Sequence, residues 1–326
     1  MEIKAMTRTS VFRTGAAVAA LVLSGAAATP VAAEGVFGGL FGPAQRGSFG
    51  PGGFSRYVPP VSHPTLNESP FITTEIRPIF AYHNIPNDFL TDGGDVRVVA
   101  LQARYAFSDR FALIATTDGY ADLNFSSVLP DETGFLDIAV GAKYAVYTNP
   151  AKGEIVTVGA RYTAPTGDVT SGGIQLAGDG DGYVDAFVTG AKLFEGGTQL
   201  QGSLGLQVAV SGENWSYVHA HLHADHEVMP GFFPLVEVNA IIPVDGGNRF
   251  PGLPSNLTGA DLFDIGTSDP DPIVTVAAGF RYRPNAHSIF GVAFEQDLVD
   301  KSIDGIPGSK SSVFDWRVTA DLTVHF

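Results

Sequence analysis

Strand-spaced histidines are the sharpest chemical feature of the chain. His219, His221 and His223 alternate with Ala220 and Leu222, Asp225 continues the series, and His226 falls on the opposite face. On a strand, residues i and i+2 lie about 6–7 Å apart on one face, so two imidazoles could meet one metal ion. Zn, Cu or Ni would suit such nitrogen ligands. The plainer reading is a polar stripe on one face of a sheet, and no metal is assigned. The run GDGDGYVD sets Asp179, Asp181 and Asp185 in a row like the start of a calcium loop. The pattern then fails, because Tyr183 stands where an oxygen ligand belongs and Val184 replaces the glycine. An acidic turn is the expectation there. Ser216 and His226 lie at opposite ends of one predicted strand, too far apart to act as nucleophile and base. The chain has no cysteine, which removes disulfides and thiolate chemistry. There is no phosphate loop and no nucleotide fingerprint. The expectation is no enzyme and no cofactor.

The remaining charges are grouped by strand parity. Glu75, Arg77, Arg104, Asp118, Asp137, Lys143, Arg161, Glu237, Arg281, Glu295, Arg317 and Asp321 all take the wet side of alternating runs. The last run, VFDWRVTADLTVHF, is the clearest. Phe314, Trp316, Val318, Ala320, Leu322, Val324 and Phe326 fall on one face, and Asp315, Arg317, Thr319, Asp321, Thr323 and His325 on the other. From Trp316 to Phe326, at about 3.3 Å per residue and a tilt near 40°, the run rises roughly 25 Å, the height of the apolar band on a membrane barrel.

Twelve such runs follow residue 70: 71–84, 95–107, 110–124, 134–147, 154–165, 182–194, 198–211, 215–227, 232–243, 272–283, 287–298 and 313–326. Short joints rich in Gly, Pro, Asn and Ser alternate with long ones at 85–94, 125–133, 166–181, 244–271 and 299–312; the joint at 212–214 is shorter. Sorting of this kind predicts an all-β, up-and-down antiparallel transmembrane β-barrel of about 12 strands with both termini at the short-turn rim. The charged face then lines a lumen, and the apolar face meets lipid. Outward Tyr105, Phe111, Tyr144, Tyr282 and Phe326 predict an aromatic girdle at that rim. Run two breaks phase, since Arg97 shares parity with outward Val99 and Leu101; a bulge or a place above the lipid would explain it. The run 182–194 has no clear phase. Inward Gly141, Gly159, Gly205, Gly279 and Gly291 argue for a narrow pore over a barrel filled by its own salt bridges.

The flanks and the bulk composition fit export. Residues 1–33 read as a signal peptide: Lys4, Arg8 and Arg13, then an apolar run from Ala16 to Ala27, then a small-residue cleavage pattern ending at Ala33. An uncleaved anchor helix is the alternative. Residues 34–70 are too dense in Gly and Pro for helix or strand and read as a periplasmic linker or a plug; Phe37, Phe41, Phe49 and Phe54 punctuate them. Residues 71–326 form the barrel. Charged residues are only 16% of a chain that is 44% apolar, which suits a sheet with one lipid face. The net charge of −15 argues against nucleic acid as a partner.

Two resemblances narrow the class. The final amphipathic strand, closing on Phe326, resembles the assembly signal of bacterial outer-membrane β-barrels, which implies the barrel assembly machinery as a partner and outer-membrane lipid as surroundings. VGAKY (Val140 to Tyr144) and RYTAPTGD (Arg161 to Asp168) are similar to the transporter-like outer-membrane proteins grouped as the "MetA-pathway of phenol degradation" family. That implies passage of small solutes, hydrophobic or aromatic ones among them. The expectation is a narrow, polar outer-membrane channel for small molecules, the alternative a filled structural or adhesive barrel acting through its extracellular loops.

Overall fold

A computed structural model describes residues 54–326, apart from the side chains of Thr117 and Asp118. The signal-peptide reading, Phe37, Phe41, Phe49 and the inward placing of Asp118 lie outside the described residues.

Fifteen strands run in chain order: β1 (Glu75–Ile85), β2 (Gly94–Ala106), β3 (Phe111–Phe125), β4 (Glu132–Phe135), β5 (Ile138–Asn149), β6 (Glu154–Ala164), β7 (Thr170–Ser171), β8 (Ile174–Gln175), β9 (Tyr183–Leu193), β10 (Thr198–Ala209), β11 (Ser216–His226), β12 (Phe232–Asp245), β13 (Ile273–Tyr282), β14 (Ser288–Asp297) and β15 (Trp316–His325). Twelve of them form a closed antiparallel barrel. Each pairs with its barrel neighbour, and β1 closes the ring on β15, with Glu75 opposite His325 and Asn84 opposite Trp316. β4 pairs only with the outer end of β3, and β7–β8 is a small hairpin in the long loop after β6. The run expected at 134–147 therefore breaks at Leu136 and Asp137, because Asp137 accepts hydrogen bonds from Gly167 N (2.8 Å) and Gly178 N (3.0 Å) of the neighbouring loop.

Side-chain chemistry sets the turns at the lower rim. Asn285 Oδ1 accepts from His287 N (2.8 Å) and Ser288 N (2.9 Å), and Ser108 Oγ accepts from Arg110 N and Phe111 N. A 3-10 turn at 150–152 ends on Gly153, whose φ of +67° glycine adopts at no steric cost. The outward face is a band of exposed Val, Leu, Ile and Phe, including Leu113, Val140, Leu204, Leu222, Val236 and Phe294. In water, a band of this size would be an aggregation surface; against lipid it is the stable face. Tyr144 and Tyr282 stand exposed at the short-turn end. Tyr105 and Phe326 are buried instead: Tyr105 packs edge-on against Phe107 at 4.9 Å, and Phe326 N donates to Thr74 O at 3.0 Å.

β2 keeps its phase. Val96, Val98, Ala100, Gln102 and Arg104 face in, and Arg97 faces out at the upper rim, 3.0 Å from Asp95 and 3.6 Å from Asp122. Its pairing with β3 does shift register between Val99 and Leu101. The ambiguous run resolves as β9 with Tyr183, Asp185, Phe187 and Thr189 inward.

Candidate functional site

Inside the barrel, residues 54–74 form a re-entrant hairpin. The chain starts at the short-turn rim, where Ser55 O accepts from Arg283. It climbs to an apex at His63–Leu66 and descends to Thr74, where β1 begins. The apex is a tight turn in which Leu66 N and Asn67 N both donate to His63 O, and His63 takes φ of +45°. Proline explains how so irregular a segment survives burial. Each proline removes a backbone donor and leaves a carbonyl acceptor, and the wall supplies donors to match. Arg281 Nε donates to Pro59 O at 2.8 Å, Arg77 to Pro60 O at 2.8 Å, Gln102 to Pro64 O at 2.6 Å and Thr157 to Pro70 O at 2.5 Å. Gln199 and Gln201 both donate to Val58 O at 2.8 Å.

Of the twelve expected lumen residues, the eleven whose side chains are described all lie buried: ten sit on inward positions of the strands, and Asp137 in the joint between β4 and β5. Five ionic groups result. Low in the barrel, Glu68 of the hairpin accepts from Arg104 (2.6 and 2.8 Å) and Lys143 (2.8 Å), and Glu75 stands 3.1 Å from Arg104. Arg77 and Arg281 share Asp321. On the opposite wall, Glu237 accepts from the hairpin amides of Val61 (2.8 Å) and Ser62 (2.7 Å) and lies 2.7 Å from His223. Higher up, Arg317 binds Glu295 at 3.0 Å and Asp261 at 2.8 Å. Arg161 completes the wall with Asp185 at 2.6 Å and the carbonyl of Thr65.

The histidine stripe belongs to this network. His219 lies 3.0 Å from Asp185 and 3.2 Å from His221, His221 lies 2.8 Å from Asn239, and His223 sits between Asp225 (2.8 Å) and Glu237. Among the described residues no three His, Asp or Glu side chains converge as a metal site. The acidic run disperses: Asp179 pairs with Arg249, Asp185 points into the lumen, and Asp181 offers its carbonyl to Tyr162. Ser216, outward by parity, is buried at a register shift and its Oγ accepts from Ala209 N; His226, at the other end of β11, meets Thr198.

The inward glycines leave little open space. A Cβ on Gly205 would stand 2.1 Å from His219 Nε2, one on Gly291 2.3 Å from Arg281 Nη1, and one on Gly159 2.3 Å from the Phe187 ring. They make room for large wall side chains. Nor is the lumen polar throughout. Toward the long-loop rim, Ile79, Val98, Leu123, Ile241 and Ile273 face inward and pack with Leu66 of the hairpin, with Leu176 and Trp215, and with Leu257, Phe263 and Ile265 of the loop 246–272. That loop folds into the mouth and caps it. Cavities of about 80 and 40 Å³ remain beside the hairpin apex, lined by Thr65, Asp261 and Leu262 among others.

In the cap, burial pushes Asp264 up to about 6, although Trp215 N and Gly266 N donate to its carboxylate and Tyr183 Oη donates at 2.9 Å. Burial likewise raises Asp137, against the two glycine amides it accepts from. Sequence reasoning missed His63, Glu68, Asp185 and Asp261. All four come from segments read as linker, loop or unphased strand, and their partners are distant in sequence.

Comparison with known proteins identifies the architecture. An outer-membrane channel of Pseudomonas putida F1 superimposes with a TM-score of 0.55 at 14% identity, covering 83% of this chain and 100% of its own. The NanC porin follows at 0.47 and 6%, covering 78% and 100%, and the KdgM porin at 0.43 and 8%, covering 77% and 99%. No protein-family model matches the chain, and the search of curated proteins gives no match. The fold is a closed twelve-stranded antiparallel barrel similar to that of the Pseudomonas putida channel.

Proposed function

We propose that this protein is an outer-membrane channel for small solutes, held closed by its own N-terminal hairpin and extracellular cap. The observation that carries the reading is the nature of the obstruction. The hairpin has no strand pairing with the wall: apart from the Phe326 N to Thr74 O bond at its foot, its contacts run through side chains, while the barrel ladder is complete without it. The obstruction can therefore leave and the wall remain. The apolar lining of the outer mouth suits solutes with a hydrophobic or aromatic part, in keeping with the resemblance to the phenol-degradation group, and the polar zone below favours their release toward water.

The test is single-channel recording in planar bilayers. The full chain should show low or intermittent conductance, and a variant lacking residues 54–70 a sustained one. If the shortened barrel folds, as a heat-shifted gel band would show, yet conducts at no voltage, the channel reading fails and the filled structural barrel stands.

A further inference from the structure

We infer that the extracellular loop 246–272 and the N-terminal hairpin form one latch, with Asp261 as the shared piece, so that moving the loop unseats the hairpin. The inference concerns coupling between two parts and holds whether or not the barrel conducts.

Four charged side chains from four different elements close a ring near the hairpin apex. Asp261 comes from the loop, His63 from the hairpin, Glu295 from β14 and Arg317 from β15. Asp261 Oδ2 lies 2.8 Å from His63 Nδ1, and its Oδ1 lies 2.8 Å from Arg317 Nη1. Glu295 Oε1 lies 2.7 Å from His63 Nε2, and its Oε2 lies 3.0 Å from Arg317 Nη2. Each side chain is at most 4% exposed. Phe314 stacks on the ring from one side, 4.8 Å from the guanidinium and 6.3 Å from the His63 ring. Asn239 donates to both Glu295 (3.1 Å) and Ser62 (2.9 Å), tying the hairpin to the same group.

The consequence is asymmetric. The wall members, Glu295 and Arg317, are fixed by strand pairing, with Glu295 opposite Arg317 in the β14–β15 register. The loop and the hairpin are not so fixed. If the loop lifts, Asp261 leaves, and His63 keeps one carboxylate in place of two while the apex loses its cover. A buried charge deprived of a partner is costly, so the hairpin loosens with the loop. Leu66 reinforces the coupling, since it packs in the same apolar cluster as Leu257 and Phe263. A solute or other agent that displaces the loop from outside would thereby release an obstruction anchored at the opposite rim.

The chain has no cysteine, so the loop can be pinned cleanly. Thr258 and Ser312 face each other in an isolated bridge that holds the loop to the segment before β15. A Thr258→Cys/Ser312→Cys pair, oxidised, should slow hydrogen exchange of the amides in residues 58–67, and reduction should restore it. Asp261→Asn should speed the same amides by at least about tenfold, and Asp261→Glu should partly rescue them. Hairpin exchange that is the same in the oxidised and reduced pair would overturn the inference. Should Asp261→Asn fail to fold, the disulfide comparison alone decides.

Discussion

Glu68 shows how a single side chain organises the lower lumen. It is the acceptor for both Arg104 and Lys143, whereas Glu75 bonds Arg104 and reaches Lys143 only at longer range. Glu68→Gln removes the carboxylate that Lys143 contacts and leaves only neutral oxygens, of the amide and of Ser69, beside the buried ammonium. Removing one member of a buried ion pair costs about 3–5 kcal/mol. We expect the descending leg of the hairpin to become labile, seen as faster exchange of residues 67–72 and longer open events in bilayer recordings. Gly205 makes the converse point. Its missing side chain is where the His219 imidazole lies. Gly205→Ala forces that ring off its contact with Asp185, an overpacking cost of about 1–3 kcal/mol. The temperature at which the folded gel band disappears should fall, whereas Gly202→Ala, whose Cβ would meet its nearest neighbour at 3.5 Å, should leave it unchanged. None of this was readable from parity alone. Parity placed Arg104, Lys143 and Glu237 on the inward face but could not say that their partners would come from a proline-rich segment. The clue lay in Pro59, Pro60, Pro64 and Pro70: a stretch with many acceptors and few donors complements a wall of Arg, Lys and Gln.

At the scale of elements, the strands were legible because lipid on one side and charge on the other enforce a period of two. The alternation blurred where both faces are apolar. β2 carries Val96, Val98 and Ala100 inward against Val99 and Leu101 outward, and the inward set is there to meet the cap. The cap itself has no period, because its order comes from contacts such as Arg249 with Asp179 and Asn256 with Asp271 (2.7 Å). Its pH response follows from Asp264. A carboxyl raised from 3.8 to about 6 on folding favours the packed loop when protonated. That contribution is full below about pH 4 and is lost as pH rises to about 6; the shift sets an upper bound of about 3 kcal/mol. Exchange of residues 259–266, corrected for intrinsic rates, should therefore be slower at pH 4.5 than at pH 7. Asp264→Asn should flatten that difference, and a variant that retained it would locate the titration elsewhere.

For the whole molecule, the exposed apolar belt governs handling. Purified protein should stay monodisperse only in detergent or lipid and should show a heat-shifted band on a gel; a monodisperse chain in plain buffer would contradict the lipid-facing assignment of Leu222 and its neighbours.

The descending leg of the hairpin runs without interruption into β1 at Glu75. A stopper bonded to its own doorway cannot diffuse away. If it leaves as proposed, it remains near its seat at a local concentration on the order of millimolar. Resealing is then a first-order event whose rate is indifferent to how many copies the membrane holds, and it needs no dedicated closing factor.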